Sequence, residues 1–176
     1  IIALSVADTV NHVDGGHFIG ALNWVNNNSN KIAAVSFSGY FQTKSKPCTI
    51  ATRNTAQFGG FVKADQILRN LVITLKSKNI PVFVATGNNA YSNKINYPAC
   101  INEVVSVTTG ERNSSGEVVS EWAIDQNTDY AGALDSNISV PIFGAVPRVT
   151  SVATVAVATK WVTNGFLDDR VVKILQ

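Results

Sequence analysis

Thr150 and Ser151 stand together where a loop containing Pro141 and Pro147 gives way to a run of small apolar residues that continues through Val157 and Ala158. A hydroxyl at such a boundary accepts from an orphan N–H of a helix's first turn, so the pair predicts a helix that starts here. The same place suits a serine nucleophile, because free N–H groups and the helix dipole favour negative charge beside it. On the residues alone, both a helix cap and a nucleophile are open. Two further polar segments close apolar runs: Ser36-Phe37-Ser38-Gly39 and Ala85-Thr86-Gly87-Asn88.

The elements that must carry these residues alternate along the chain. Residues 1–6 form a short apolar run that reads as a strand leaving into a polar loop. Apolar residues at 18, 19, 21, 22 and 25 recur at helical spacing, and Asn26-Asn27-Asn28 ends them. Residues 32–37 are a continuous apolar run, as expected of a strand buried on both faces. Strand, helix and strand in that order predict a right-handed crossover. Residues 64–78 place Ile67, Leu68, Leu71, Val72 and Leu75 on one face of an amphipathic helix, with Asp65 and Arg69 elsewhere. Residues 80–85 and 103–108 are the next strands, with a further short one at 117–120. The last helices are expected at 151–163 and 168–175, after a loop spanning 130–147. The class is therefore α/β, a mostly parallel sheet with helices on both faces. Ligands of such sheets bind at the carboxyl ends of the strands, where all three polar segments fall.

Composition narrows the function. The 176 residues are 45% hydrophobic, enough for one sizeable core and a single domain over residues 1–176. The formal charge is +2 and the basic residues are scattered, which argues against a nucleic-acid partner. No run is long and apolar enough for a membrane span, and residues 1–6 lack the basic start of a signal peptide. The absence of an initial Met is read as upstream material removed. Cys48 and Cys100 fit one disulfide or two buried thiols. Asn-x-Ser sequons start at Asn27, Asn113 and Asn137 but are expected by chance in so Asn-rich a chain.

Taken in order, these segments resemble the subtilisin-like serine peptidases, the subtilases. The family's nucleophile motif, Gly-Thr-Ser-Met-Ala-(Thr/Ser)-Pro-His-Val-Ala, is similar to Val149-Thr150-Ser151-Val152-Ala153-Thr154-Val155-Ala156-Val157-Ala158. Its Ala-Ala-Gly-Asn resembles Ala85-Thr86-Gly87-Asn88, and its Tyr-Pro-Ala resembles Tyr97-Pro98-Ala99, which precedes a Val-rich strand. Its substrate-binding Ser-Leu-Gly resembles Ser36-Phe37-Ser38, and its helix with a Trp near the end resembles the stretch around Trp24. The resemblance implies peptide-bond hydrolysis by acyl transfer. Ser151 would be the nucleophile, and the Asn88 carboxamide with the Ser151 backbone would hold the oxyanion. Ser36, Phe37, Ser38, Gly39, Ala85, Thr86 and Gly87 would line the substrate, a polypeptide.

The departures set further expectations. Subtilase triads run Asp, His, Ser, and the resemblance places the first two before residue 1, on an upstream segment or companion chain that completes a domain incomplete at its N-terminus. His12 and His17 are expected as exposed loop histidines, and Asp8 and Asp14 as turn residues. Without a base Ser151 is inert, so this chain alone is expected to be inactive. Val149 replaces Gly and Val155-Ala156 replaces Pro-His, which favours as alternative a catalytically inactive binding or structural domain of the same kind. An unrelated α/β domain would require Asn88 and Ser151 to lie far apart. In the family the regions of Cys48 and Cys100 rim the primary specificity pocket. A bridge between them would stabilise the fold by ~3–4 kcal/mol, with two free thiols the alternative. The resemblance also implies an extracellular location and frequent calcium binding. No cofactor is required and no metal-ligand run is seen in the sequence.

Overall fold

The computed structural model describes residues 1–7, 13–39, 41, 62–89, 95–112, 118–119, 130–133, 150–164 and 171–173. The first helix, α1 (Gly15–Asn27), starts at Asp14, whose carboxylate accepts from the His17 N–H at 3.0 Å and so satisfies one orphan donor of the first turn. Asp14, expected as a turn residue, is therefore a helix cap. His17, expected in a loop, lies in the first turn of α1 and is exposed. The buried face is Phe18, Leu22 and Val25, spaced as one stripe of a helix requires.

Strand β1 (Val35–Phe37) is shorter than the expected 32–37, and it is not buried on both faces: Ser36 is exposed. The reason is its place in the sheet. It stands at one end of the described strand order and pairs on one side only, with β2 (Val82–Ala85), in parallel. Between them comes α2 (Val62–Ser77), closed by Asn79 at φ 59°. Leu68, Val72 and Leu75 form its buried stripe. Two side chains on α2 depart from expectation. Ile67 is half exposed, whereas Asp65 is buried with a polar partner, discussed below.

The sheet continues through β3 (Val105–Arg112) to β5 (Tyr130–Ala133), both parallel to their neighbours. Two antiparallel strands are attached: β4 (Val118–Val119) on β3, and β6 (Val171–Lys173) on β5. The last helix, α3 (Thr150–Asn164), lies between β5 and β6 in the chain. Among the described residues, none of these helices is long and apolar enough to cross a membrane.

Alternation along β2 divides the core into two layers, since successive strand residues point to opposite faces. Val82 and Val84 join Phe18, Leu22, Leu68, Val72 and Leu75 beneath α1 and α2. Phe83 joins Val107 and the α3 residues Ala153, Val157 and Ala158 on the other face. The expected α/β sheet covered on both faces is thus present.

Three further expectations, on secondary structure, fail. Residues 168–175 are not a helix where described: Val171-Val172-Lys173 extends along β5, as two adjacent β-branched residues favour. Residues 130–133, expected in a loop, are β5. Residues 1–6 form no strand. They meet no ladder partner among the described residues, and nearby there is only an isolated bridge from Ala7 to Val13. Instead Ile2 and Leu4, with Trp24, Val35, Ser36 and Phe37, line an apolar groove of about 150 Å³ beside the edge of β1 that has no strand partner among the described residues.

Candidate active site

Neighbouring parallel strands end on the same side, so the segments that follow β1 and β2 are adjacent by construction. α3 packs across β1, β2 and β3 and brings its N-terminus to that side. The contacts are specific. Asn88 Oδ1 accepts from the Thr150 N–H at 3.0 Å and from the Thr150 hydroxyl at 2.8 Å. Ser38 Oγ–H donates to the Ser151 carbonyl at 2.9 Å. The structure therefore unites the three polar segments found in the sequence at one helix terminus.

These bonds define the orientation of Asn88. A backbone N–H can only donate, so the atom facing Thr150 must be the carboxamide oxygen. The Nδ2 group is then turned away from Thr150, and it has no hydrogen-bond partner among the described residues. Asn88 is exposed. The local cap expected from Thr150 and Ser151 is replaced by one from 62 residues away. Thr150 spends its own hydroxyl on Asn88, and its carbonyl accepts from the Thr154 hydroxyl at 2.7 Å inside the helix.

Ser151 is half buried, in the first turn of α3, where its N–H has no acceptor within the helix. No hydrogen bond or ion pair joins its Oγ to an imidazole among the described residues. His17 is instead beside its own cap, with Nδ1 at 3.8 Å from the Asp14 carboxylate. The remaining candidates divide by burial. Phe37, Ala85 and Thr86 are buried and offer a ligand only backbone, whereas Ser36 and Ser38 are exposed. Gly39 is half buried against the Phe37 ring. Gly87 has φ 104°, a conformation suited to glycine. The Thr86 N–H donates to the Val107 carbonyl at 3.0 Å, yet its buried hydroxyl has no partner among the described residues.

Behind this turn stands Asn96, which no pattern in the sequence singles out, next to Tyr97 of the Tyr97-Pro98-Ala99 segment. Asn96 is buried, its N–H donates to the Thr86 carbonyl at 2.9 Å, and its Nδ2 donates to Asn89 Oδ1 at 2.6 Å. The adjoining Tyr97 donates its hydroxyl to the Asp65 carboxylate, whose other oxygen accepts from Arg69 Nε at 2.8 Å. Burial, followed by the bond to Asp65, pushes the Tyr97 phenol well above its usual range. The only local signal was the i, i+4 spacing of Asp65 and Arg69 on α2.

Cys100 is buried and disulfide-bonded, so it is not one of two free thiols. Its expected partner Cys48 lies outside the described residues, as do Asp8, His12 and Val149. No group of three or more His, Cys, Asp or Glu able to hold a metal gathers among the described residues.

No protein-family model and no curated protein matches the chain. Solved structures do. The chain is similar to sphericase at 17% identity and a TM-score of 0.56, over 93% of this chain and 54% of that one. It is also similar to the prenylagaramide maturation protease PagA, at 16% identity and a TM-score of 0.53, over 97% and 56%. A cold-adapted subtilisin-like serine proteinase gives 18% and 0.52, over 91% and 53%. At this identity the likeness shows the fold, which is subtilisin-like. The chain spans about half the length of these structures.

Proposed function

We propose that this chain is the nucleophile- and oxyanion-bearing part of a subtilisin-type serine endopeptidase. The observation that carries this reading is the pair of bonds from Asn88 Oδ1 to Thr150. They anchor one end of the carboxamide at the residue before Ser151, and its Nδ2 has no partner among the described residues. In the reaction, Ser151 Oγ attacks the carbonyl carbon of a peptide bond while its proton passes to a histidine on an upstream segment or companion chain. The carbonyl oxygen becomes an oxyanion that Asn88 Nδ2 and the Ser151 N–H stabilise. The protonated histidine then gives its proton to the departing amine. Water, deprotonated by the same histidine, attacks the acyl-serine carbon, and its proton returns to Ser151 as the ester bond breaks.

The edge of β1 that has no described strand partner supports the need for a completing segment. Val35 N–H donates to the Pro81 carbonyl at 2.9 Å, so Val35 and Phe37 present their backbone groups to β2. By strand alternation the Ser36 N–H and C=O point to the unpaired side, beside the apolar groove. The disulfide at Cys100 supports an oxidising, extracellular setting. Within this reading the backbone of residues 85–87 and the ends of Ser36 and Ser38 meet a polypeptide substrate.

A second reading, a catalytically inactive binding or structural domain, is favoured by one observation. Val155, in place of the motif's Pro, is exposed at 50% and presents an apolar side chain on α3 where no described residue covers it. Treatment of the full-length protein with a fluorophosphonate probe separates the two. Labelling at Ser151 is the result expected of the peptidase, and an unlabelled Ser151 in the folded, complete protein supports the inactive domain.

A further inference from the structure

The turn carrying Asn88 is held from beneath by a side chain that is not part of the motif. A Cβ built on Gly87 would stand 1.8 Å from Nδ2 of Asn96 and 2.9 Å from its Cγ, so the Asn96 carboxamide fills the space where residue 87 would carry a side chain. Asn96 also bonds to the residue on either side of the Gly87-Asn88 pair: to the Thr86 carbonyl through its N–H and to Asn89 Oδ1 through Nδ2. It is 7% exposed, and the next residue, Tyr97, is fixed to α2 through Asp65 and Arg69. A buried amide bonded in this way is costly to displace. Asn88, in contrast, is exposed and, among the described residues, tied by its side chain to Thr150 alone.

We propose that Asn96 is a positioning residue for the Asn88 carboxamide. It clasps the Thr86-to-Asn89 turn to the Tyr97 loop, and through that loop to α2, so that Asn88 meets the N-terminus of α3 with Nδ2 turned toward the reacting carbonyl. The geometry requires both halves of the clasp. Glycine at 87 gives the amide room, and the amide in turn limits the freedom that a glycine at positive φ would otherwise allow. An oxyanion donor is useful only if it is held within about 0.5 Å of its working position, and an exposed Asn on an unclasped glycine turn would not be. The proposal rests on the reading of Asn88 as oxyanion donor, and its test separates the two.

The test uses the full-length protein and the variants Asn96→Ala, Asn88→Ala and the double variant. Two quantities are read: hydrogen exchange of the Thr150 amide, and kcat and KM on a peptide substrate. In Asn96→Ala the Thr150 amide is expected to exchange faster by roughly tenfold, the factor that loss of one ordinary hydrogen bond carries. Exchange at Val84 and Leu75 should be unchanged. The kcat is expected to fall by about tenfold at unchanged KM, and in the Asn88→Ala background Asn96→Ala should cost no more than about twofold. Thr150 exchange at the parent rate in Asn96→Ala, or losses that multiply in the double variant, overturn the proposal. Faster Thr150 exchange together with a parent kcat in Asn88→Ala keeps the clasp and rejects the catalytic reading of Asn88. If Asn96→Ala does not fold, Asn89→Ala cuts the same bond from the exposed side and carries the same exchange expectation.

Discussion

The two faces of the sheet are built from different materials. Beneath α1 and α2 the core is large and aromatic: Phe18, Phe37, Phe41 and Tyr97 meet in a chain of ring contacts with centroids 4.2 to 6.0 Å apart. Among the described residues the core beneath α3 is smaller, with Ala153, Val157 and Ala158 against Phe83 and Val107 and one ring contact, Phe83 with Trp161. Small residues let a helix approach the sheet closely. What places the N-terminus of α3 is then a few polar contacts, from Asn88 and Ser38, rather than apolar bulk. The lesson is a division of labour: one face supplies stability, and the other supplies alignment.

Substitutions can break that division. The largest effect on stability is expected from Leu75→Ala, which removes a fully buried side chain from the large face and should cost about 2–5 kcal/mol in denaturant unfolding. Its effect on Thr150 exchange should merely follow that global loss. On the other face, Asn88→Ala takes the shared acceptor from both Thr150 donors and is expected to cost about 1–2 kcal/mol, less than Leu75→Ala, while lowering kcat of the full-length protein by roughly 10²–10³ if Asn88 acts as proposed, a range whose source is subtilisin itself. Equal loss of stability in the two variants would erase the distinction between the faces.

Ala153→Leu tests the same idea by addition. Overpacking the closely approached helix should cost about 1–3 kcal/mol and push Thr150 away from Asn88, seen as faster Thr150 exchange beyond the global loss. Alkaline titration gives a graded effect. The buried Tyr97 keeps its proton when folded, whereas the unfolded chain releases it near pH 10. Stability from this group is complete below that pH and falls above it, by about 1.4 kcal/mol per pH unit. Tyr97→Phe should flatten the decline in Tm between pH 10 and 11.5. The smallest effect is expected of Thr150→Val, which removes one of the two donors to Asn88 and should cost about 1 kcal/mol.

Much of this was legible in the residues. The stripes Phe18-Leu22-Val25 and Leu68-Val72-Leu75 and the buried run of β2 follow from periodicity, and they set the sheet and its covering. The place of residues 36–39, 85–88 and 150–151 at the ends of elements was enough to suggest that these segments meet, as Ser38 does with Ser151 and Asn88 with Thr150. The failures share a physical cause, since each depends on a partner distant in sequence. Asp65 was placed only off the apolar face of its helix, because its phenol partner lies 32 residues away. Thr150 looked like a self-sufficient cap because its acceptor lies 62 residues back. Tyr130-Ala131-Gly132-Ala133 has no alternation to announce a strand, and pairing with β3 on one side and β6 on the other makes it one. Asn96 has no pattern of its own, because it acts by filling the room that Gly87 leaves.

The alternation along β2 also limits how the chain can change in length. Val82 and Val84 belong to one core and Phe83 to the other, while Asn88 follows three residues after the strand ends. One residue inserted or deleted between Ile80 and Val82 would exchange the two faces and also slide Asn88 by about 3.3 Å, farther than its bonds to Thr150 can stretch. Folding and alignment share one reading frame here. Length variation should therefore be tolerated in the loops that leave the sheet and excluded from the few residues that enter β2.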